Sequence, residues 1–284
     1  MKFLNPCNDV AFKKIFGSEE HKAVTISFLN SILEYTGKAA IVEIKFLNTE
    51  QKRIMQLKKD NILDILCTDQ AGKQYLVEVQ VESVKAFGKR IVFYGAKTYA
   101  MQLGAAQAYT KLEPIVAISV LDFIMFPKKK DYKSIHLLLD KKTYEHDLKE
   151  LSFAFIELPK FNKKENELET NEDKWIYFLK NINKQDHVPA PLQENEFGQA
   201  CQAAERMTWS EEEFNAYEDA IVRATDIQGS NELAFEKGEK KGENKKAIEI
   251  ATTSLKAGLD VHTISKITGL SIEDVESLKT HLIN

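Results

Sequence analysis

The chain has 284 residues, of which 43% are hydrophobic and 29% charged, and its net charge is −4. These proportions exclude an intrinsically disordered chain, and three scattered cysteines exclude a disulfide-stapled scaffold, so we expect free thiols and a cytoplasmic protein. The longest apolar run, residues 115–126, is too short to span a bilayer, and we expect neither a signal peptide nor a membrane partner.

The charge is divided unevenly along the chain. Residues 1–160 contain 24 basic and 19 acidic residues, a net charge of +5, whereas residues 161–284 have a net charge of −9. A positive surface on the first part can attract phosphates although the whole protein is acidic.

The first part of the chain mixes helical and strand patterns. Asn8 and Gly17 bound a short amphipathic helix as its N-cap and its glycine stop. Apolar periodicity predicts the remaining elements: helices over residues 20–35 and 83–108, and strands over residues 41–47, 61–68, 73–81, 113–123, 135–139 and 151–158. The sequence Asp-Gln-Ala-Gly at 69–72 is typical of a hairpin turn, and the continuously apolar run 113–123 is typical of a strand inside a sheet.

The second part of the chain is predicted to be helical from Glu172 onward. Residues 235–246 are rich in Glu, Lys and Gly, and form either a solvated helix or a flexible tether. We therefore predict three domains: an α/β core over residues 1–160, an acidic helical extension over 161–234, and a charged link with a small helical tail over 235–284.

Residues 264–275 in the tail resemble a helix-turn-helix. Ser271 and Asp274 predict a capping box at the start of the second helix. That helix is a poor surface for a DNA groove because it carries Glu273, Asp274 and Glu276. The pattern favours a docking or oligomerisation element over a DNA reader.

Two acidic residues lie in apolar strand sequences that should be buried, Asp64 in the second strand and Glu78 in the third. If the turn closes with a three-residue loop, the two face each other with Cβ atoms about 4.5–5.5 Å apart. Two carboxylates at this distance repel each other, and a Mg²⁺ ion bound between them removes the repulsion. Gln80 lies on the same strand face as Glu78 and can orient a water molecule or a phosphate, but it cannot act as a base. The alternative is that each acid caps a strand or pairs with a lysine.

Asp64, thirteen intervening residues and Glu78-Val79-Gln80 resemble the metal-binding core of the PD-(D/E)XK nucleases. The match is closest to the recombination-promoting nuclease and putative transposase family, whose variant ends in Glu-x-Gln. The resemblance covers about residues 5–180, and further segments that fit are 8–17, 90–94, 121–123 and 157–161. It implies a restriction-endonuclease-like α/β fold, a mixed central sheet flanked by helices and followed by an all-helical C-terminal region.

The resemblance also implies a metal centre. Asp64, Glu78 and the Val79 carbonyl would bind Mg²⁺, with Mn²⁺ or Ca²⁺ as substitutes. Asp9 would be an acid supplied by the N-terminal helix, unless it is a plain N-cap. Two positions depart from the superfamily pattern: Leu63 replaces its proline, and Gln80 replaces its lysine, which leaves the source of the positive charge open.

Four basic or aromatic residues are predicted to contact DNA phosphates. Arg90 and Tyr94 are one helical turn apart and share a face, which Lys97 extends. Lys13 comes from the first helix. Arg90 could clamp a phosphate with two hydrogen bonds or pair with a surface glutamate, and each lysine could simply be solvated.

These observations favour a divalent-metal-dependent DNA endonuclease that hydrolyses phosphodiester bonds, with DNA as its partner, a link to recombination or transposition, and a homodimer as a further expectation. Two alternatives from other classes stay open. One is a DNA-binding regulator with a degenerate, non-cleaving site, which Gln80 would explain. The other is a protein-interaction module that binds a partner through its acidic helical half.

Overall fold

A computed structural model describes residues 2–47, 64–104 and 107–283. In these ranges the α-helices are α1 (Asp9–Phe16), α2 (Lys22–Leu33), α3 (Phe87–Ala100), α4 (Asn171–Asn181), α5 (Asn195–Ala204), α6 (Glu211–Lys256), α7 (Val261–Thr268) and α8 (Ile272–Ile283). The strands are β1 (Ile44–Phe46), β2 (Ile65–Asp69), β3 (Gln74–Gln80), β4 (Ile115–Leu121), β5 (Lys133–Leu137) and β6 (Leu151–Glu157).

The strands form one mixed sheet in the order β1-β2-β3-β4-β6-β5. β2 is antiparallel to its two neighbours, β1 and β3. β4 is parallel to both β3 and β6, and β5 is antiparallel to β6. All seven residues of β4 are buried, as its continuously apolar sequence predicts for a strand inside a sheet. A mixed sheet with flanking helices and a helical C-terminal region confirms the predicted restriction-endonuclease-like α/β fold.

Alternation along the strands gives the sheet two apolar faces. One face packs with α1, α2, α4 and α5 in a large core that includes Val77 of β3. The other face packs against α3 in a smaller cluster formed by Leu66, Leu76, Phe87, Ile91, Tyr94, Ala117, Leu121 and Phe155. All three cysteines are buried and free, as the sequence predicts.

A three-residue loop joins β2 to β3, which is the condition under which the two acids were predicted to face each other. The Asp69 N–H donates to the Lys73 carbonyl at 2.9 Å, so that only residues 70–72 lie beyond the pair. Gly72 adopts a left-handed conformation (φ +94°) that suits the tight turn. The carboxylate of Asp69 accepts from the Ala71 N–H at 2.8 Å and from the Tyr75 hydroxyl at 2.8 Å. These bonds hold the register of the hairpin.

Several element boundaries differ from the predicted ones. The helix predicted over 83–108 covers only Phe87–Ala100, because Ala86 is left-handed (φ +67°) immediately before it, and residues 105 and 106 lie outside the described ranges. Residues 41–43 do not join β1, since the side-chain amide of Asn30 bonds both the N–H and the carbonyl of Ile41 at 2.8 Å. The predicted residues 61–63 of the second strand also lie outside the described ranges.

The chain divides into two compact units, Met1–Ile221 and Val222–Asn284. Residues 235–246 are helical, inside α6, rather than an irregular tether. The second unit has its own small core of Ala251, Ile264 and Val275. Within the described residues, no helix combines the length and the apolar character that crossing a bilayer requires. The predicted three-domain division at 160 and 234 stays a prediction.

Candidate metal centre and DNA-contacting residues

Asp64 directly precedes β2, and Glu78 lies within the neighbouring strand β3. Ile65 pairs with Val77, so the register continued by one residue places Asp64 opposite Glu78. Leu76, two residues before Glu78 on β3, packs under α3, so alternation turns Glu78 toward α3, where Arg90 contacts it. Only 6% of Asp64 and 7% of Glu78 are exposed.

Both oxygens of Asp64 have partners. Oδ2 accepts a hydrogen bond from the Val79 N–H at 2.8 Å, and Oδ1 lies 3.2 Å from Nζ of Lys13, which α1 supplies. Burial raises the pKa of Asp64 to about 6, and the nearby negative charge of Asp9 acts in the same direction, although Lys13 and the Val79 N–H oppose it. Asp9 itself is exposed at the first position of α1, where Asn8 is the N-cap.

Glu78 is only half satisfied. Oε1 accepts from Nη2 of Arg90 at 2.5 Å, whereas the buried Oε2 has no hydrogen-bond partner within the described ranges. Burial raises the pKa of Glu78 to about 7; the guanidinium of Arg90 opposes this rise and the charge of Asp64 adds to it. A buried carboxylate with a free oxygen and a raised pKa favours a proton or a cation.

Arg90 of α3 joins two predicted site residues. Its Nη2 contacts Oε1 of Glu78 and Oε1 of Gln80, both at 2.5 Å, and its guanidinium lies 4.9 Å from the ring centroid of Phe87. Its Nε is buried and finds no acceptor in the part of the chain that the structure describes. Arg90 therefore pairs with an acid of the site rather than with a surface glutamate, and its contact with phosphate stays a prediction.

The other two predicted DNA-contacting residues of α3 do not reach the acids. Tyr94 is 6% exposed and packs in the apolar cluster under α3, and Lys97 is half-buried. The acid pair bonds instead to Lys13, Arg90 and the Val79 N–H, and the contacts of Tyr94 and Lys97 with DNA stay predictions.

Ser119 lies beside Glu78 in the sheet and is absent from the residues that the sequence predicts for the site. It pairs with Glu78 in the parallel register between β4 and β3. Its side chain is fully buried, and its Oγ has no partner among the described residues. The available signal was a single polar residue in the otherwise apolar strand 115–121.

The donor set suits a hard divalent cation with few protein ligands. Across residues 2–47, 64–104 and 107–283, no three His, Cys, Asp or Glu side chains meet in a cluster that could hold a metal ion. Two carboxylates, a backbone carbonyl and several retained water molecules are a common environment for Mg²⁺. The unpartnered Oε2 of Glu78 fits such an ion, while the ion pairs to Lys13 and Arg90 are the contacts with which it would compete.

Comparison with known proteins agrees with this arrangement. The model of a family described as PD-(D/E)XK nuclease family transposase matches residues 6–232, which include both acids. A second model, described as Rpn/YhgA-like nuclease family, C-terminal HTH domain, matches residues 244–280, which include the predicted helix-turn-helix pattern. No curated protein and no solved structure matches the chain. The chain belongs to the PD-(D/E)XK nuclease family transposases, as the residues around Asp64 and Glu78 predict.

Proposed function

We propose that the protein is a divalent-metal-dependent endonuclease that hydrolyses phosphodiester bonds in DNA. Membership of a nuclease family supports nuclease-type function in general. The observation that carries the specific proposal is a pair of buried carboxylates close to each other, Asp64 directly before β2 and Glu78 in β3, with one oxygen of Glu78 left without a partner among the described residues.

Asp64, Glu78 and the carbonyl of Val79 would hold Mg²⁺, or Mn²⁺ or Ca²⁺ in its place. The bound cation would polarise the scissile phosphate and lower the pKa of a bound water. Asp64 is already oriented for this role, because the Val79 N–H fixes one of its oxygens. Groups that orient a ligand in this way raise metal affinity.

Lys13 and Arg90 neutralise the two acids when no cation is present. A divalent cation makes both counter-charges redundant, so the ammonium and the guanidinium can turn to phosphate oxygens of the substrate. Lys13 then provides the positive charge that Gln80 cannot supply. The amide of Gln80 orients a water molecule or a phosphate oxygen without exchanging a proton.

DNA is the proposed substrate and partner. The match of residues 244–280 to an HTH domain supports DNA binding by the tail as well. Acidic residues at the start of α8 keep docking or oligomerisation as the rival role for this tail. A homodimer, a cytoplasmic location and a link to transposition or recombination belong to the same proposal.

A plasmid-nicking assay with Mg²⁺ or Mn²⁺ tests the proposal. We expect Asp64→Asn and Glu78→Gln each to lower the nicking rate at least about 100-fold, since each removes a charged metal ligand without changing the side-chain shape. The matched control is Asp173→Asn, which neutralises another buried acid, paired with Lys163 at 2.8 Å. This control should lose stability and keep the wild-type nicking rate per folded molecule.

Three outcomes would contradict the proposal. Equal nicking by wild type and Asp64→Asn would mean that the site is wrong or that the activity is a contaminant. DNA binding in a gel shift without nicking would favour the non-cleaving regulator. The absence of DNA binding at low salt would favour the protein-interaction module.

A further inference from the structure

Ser119 occupies the centre of a row of residues that crosses the sheet. It pairs with Glu78 on β3 and with Phe155 on β6. Ala117 and Leu121, two residues before and after it on β4, pack in the cluster under α3. Alternation along the strand therefore turns the hydroxyl of Ser119 to the face that carries Glu78.

Three buried polar atoms in this neighbourhood lack hydrogen-bond partners in the described part of the chain: Oγ of Ser119, Oε2 of Glu78 and Nε of Arg90. Ser119 is next to Glu78 in the register, and Arg90 contacts Glu78 directly. A buried polar group without a partner is destabilising, and a set of them close together is typical of a site for a shared polar ligand.

The fold satisfies a buried hydroxyl elsewhere. Thr25 of α2 is fully buried like Ser119, and its Oγ1 donates to the carbonyl of Phe16. Of these two fully buried hydroxyls, that of Ser119 is the one without a partner among the described residues.

A water molecule is the ligand that these atoms fit. Ser119 Oγ can donate or accept, Oε2 of Glu78 accepts, and Nε of Arg90 donates, so together they offer the two to four partners that a buried water requires. Mg²⁺ and Mn²⁺ bound by few protein ligands retain several waters of their own.

We propose that Ser119 is a positioning residue of the metal centre, which holds a water molecule of the cation's coordination shell through its hydroxyl, while Oε2 of Glu78 faces the cation. The inference rests on the proposed function, because it requires a cation at Asp64 and Glu78. It gives the strand β4 a role in metal affinity, beyond its role in the core.

Ser119→Ala in the full-length chain tests the proposal through two readouts. The first is the affinity for Mn²⁺ alone, from isothermal titration calorimetry, which should fall about tenfold, as for other groups that orient a metal's ligands. The second is the melting temperature in EDTA, which should stay equal or rise, because the substitution removes a buried hydroxyl without a partner. If the hydroxyl were only structural, the substitution would lower the melting temperature in EDTA and leave the Mn²⁺ affinity unchanged.

Thr25→Val is the matched control. It removes a buried hydroxyl that has a partner, so it should lower the melting temperature in EDTA and leave Mn²⁺ affinity unchanged. Equal Mn²⁺ affinity in wild type and Ser119→Ala would overturn the role of Ser119 alone. A lower melting temperature of Ser119→Ala in EDTA would do the same. Failure of the wild-type protein to bind Mn²⁺ would overturn both this inference and the proposed metal centre.

Discussion

Two buried glutamates on the same face of the sheet have opposite surroundings. Glu157, at the end of β6, accepts from the N–H groups of Met125 and Phe126 at 2.6 and 2.9 Å, and from Nζ of Lys160 at 2.6 Å. Glu78, on β3, has one partner for one oxygen and no partner within the described residues for the other. Both side chains are almost fully buried.

This difference separates an acid that holds the fold together from an acid that is available to a ligand. Every oxygen of Glu157 is used by the protein, and Lys160 is in turn fixed by the carbonyl of Phe126 at 2.8 Å. Glu78 keeps an oxygen free and has unpartnered polar atoms of Ser119 and Arg90 nearby. Burial alone therefore does not distinguish the two acids, and incomplete hydrogen bonding is what makes Glu78 the candidate ligand-binding acid.

The largest expected effect is on stability, and it separates the two glutamates directly. Glu157→Gln should lower the free energy of unfolding by about 3–5 kcal/mol, because it leaves the buried ammonium of Lys160 without its counter-charge. Glu78→Gln should change it by less than about 1 kcal/mol at pH 7, since the partly exposed Arg90 keeps Gln80 as an acceptor. Urea unfolding with EDTA measures both. A larger loss for Glu78→Gln than for Glu157→Gln would reverse the comparison.

The pH dependence of stability gives the next largest effect. The pKa of Glu78 is raised by burial to about 7 in the folded protein, from 4.5 in the unfolded chain. Because the folded state binds this proton more tightly, Glu78 stabilises the metal-free fold fully below about pH 4.5. That contribution, on the order of 3 kcal/mol, is lost as the pH rises through about 7.

The pH effect can be measured as the difference in unfolding free energy between wild type and Glu78→Gln in EDTA, from pH 4.5 to 8. The wild-type value should fall relative to that of the variant over this range. A parallel pair of curves would show that Glu78 does not titrate there. With Mn²⁺ present, affinity should instead rise with pH over the same range, because the cation requires the deprotonated acids.

Lys13→Met should have a smaller effect, and it should change Mn²⁺ affinity and the nicking rate in opposite directions. Loss of the ammonium beside Asp64 removes a competitor of the cation, so Mn²⁺ affinity should rise about threefold to tenfold. The nicking rate at saturating Mn²⁺ should fall about tenfold, because the proposed positive charge near the phosphate is gone. Lys2→Met, which removes a surface lysine paired with Glu205, is the control. A fall in both quantities would assign Lys13 to folding of the site.

The smallest expected effect is that of Tyr94→Phe. The ring is buried in the cluster under α3, so the loss of its hydroxyl should change neither DNA affinity nor stability by more than about 0.5 kcal/mol. A gel shift at low salt and urea unfolding measure the two quantities. A clear loss of DNA affinity with unchanged stability would favour the phosphate contact that the helical spacing of Arg90 and Tyr94 predicts.

Local patterns in the sequence were enough to predict that Asp64 and Glu78 lie near each other on neighbouring segments of one hairpin. Strand side chains alternate with a period of two, and the hairpin composition of residues 69–72 indicated the short turn that sets the register. The same reasoning placed β4 inside the sheet. The family resemblance then predicts a nuclease, and the mixed sheet agrees with the fold that it implies.

The partners of these acids depend on contacts that sequence spacing does not reveal. Ser119 is 41 positions from Glu78 and reaches it only because β4 pairs parallel to β3. Lys13 approaches Asp64 from a separate helix, and Arg90 turns toward Glu78 instead of solvent. The helix predicted over 83–108 begins later, at Phe87, because apolar periodicity does not reveal the left-handed conformation of Ala86.

The three-residue loop between β2 and β3 sets which residues of the two strands lie opposite each other. If the turn keeps three residues, one residue inserted or deleted at 70–72 shifts the pairing of β2 with β3 by one position and brings a different residue opposite Glu78. If the loop instead changes its length, the pairs of the two strands stay as they are, and the two acids stay close together. Length variation in this hairpin therefore preserves the acid pair only where the loop, rather than the strand pairing, accommodates it.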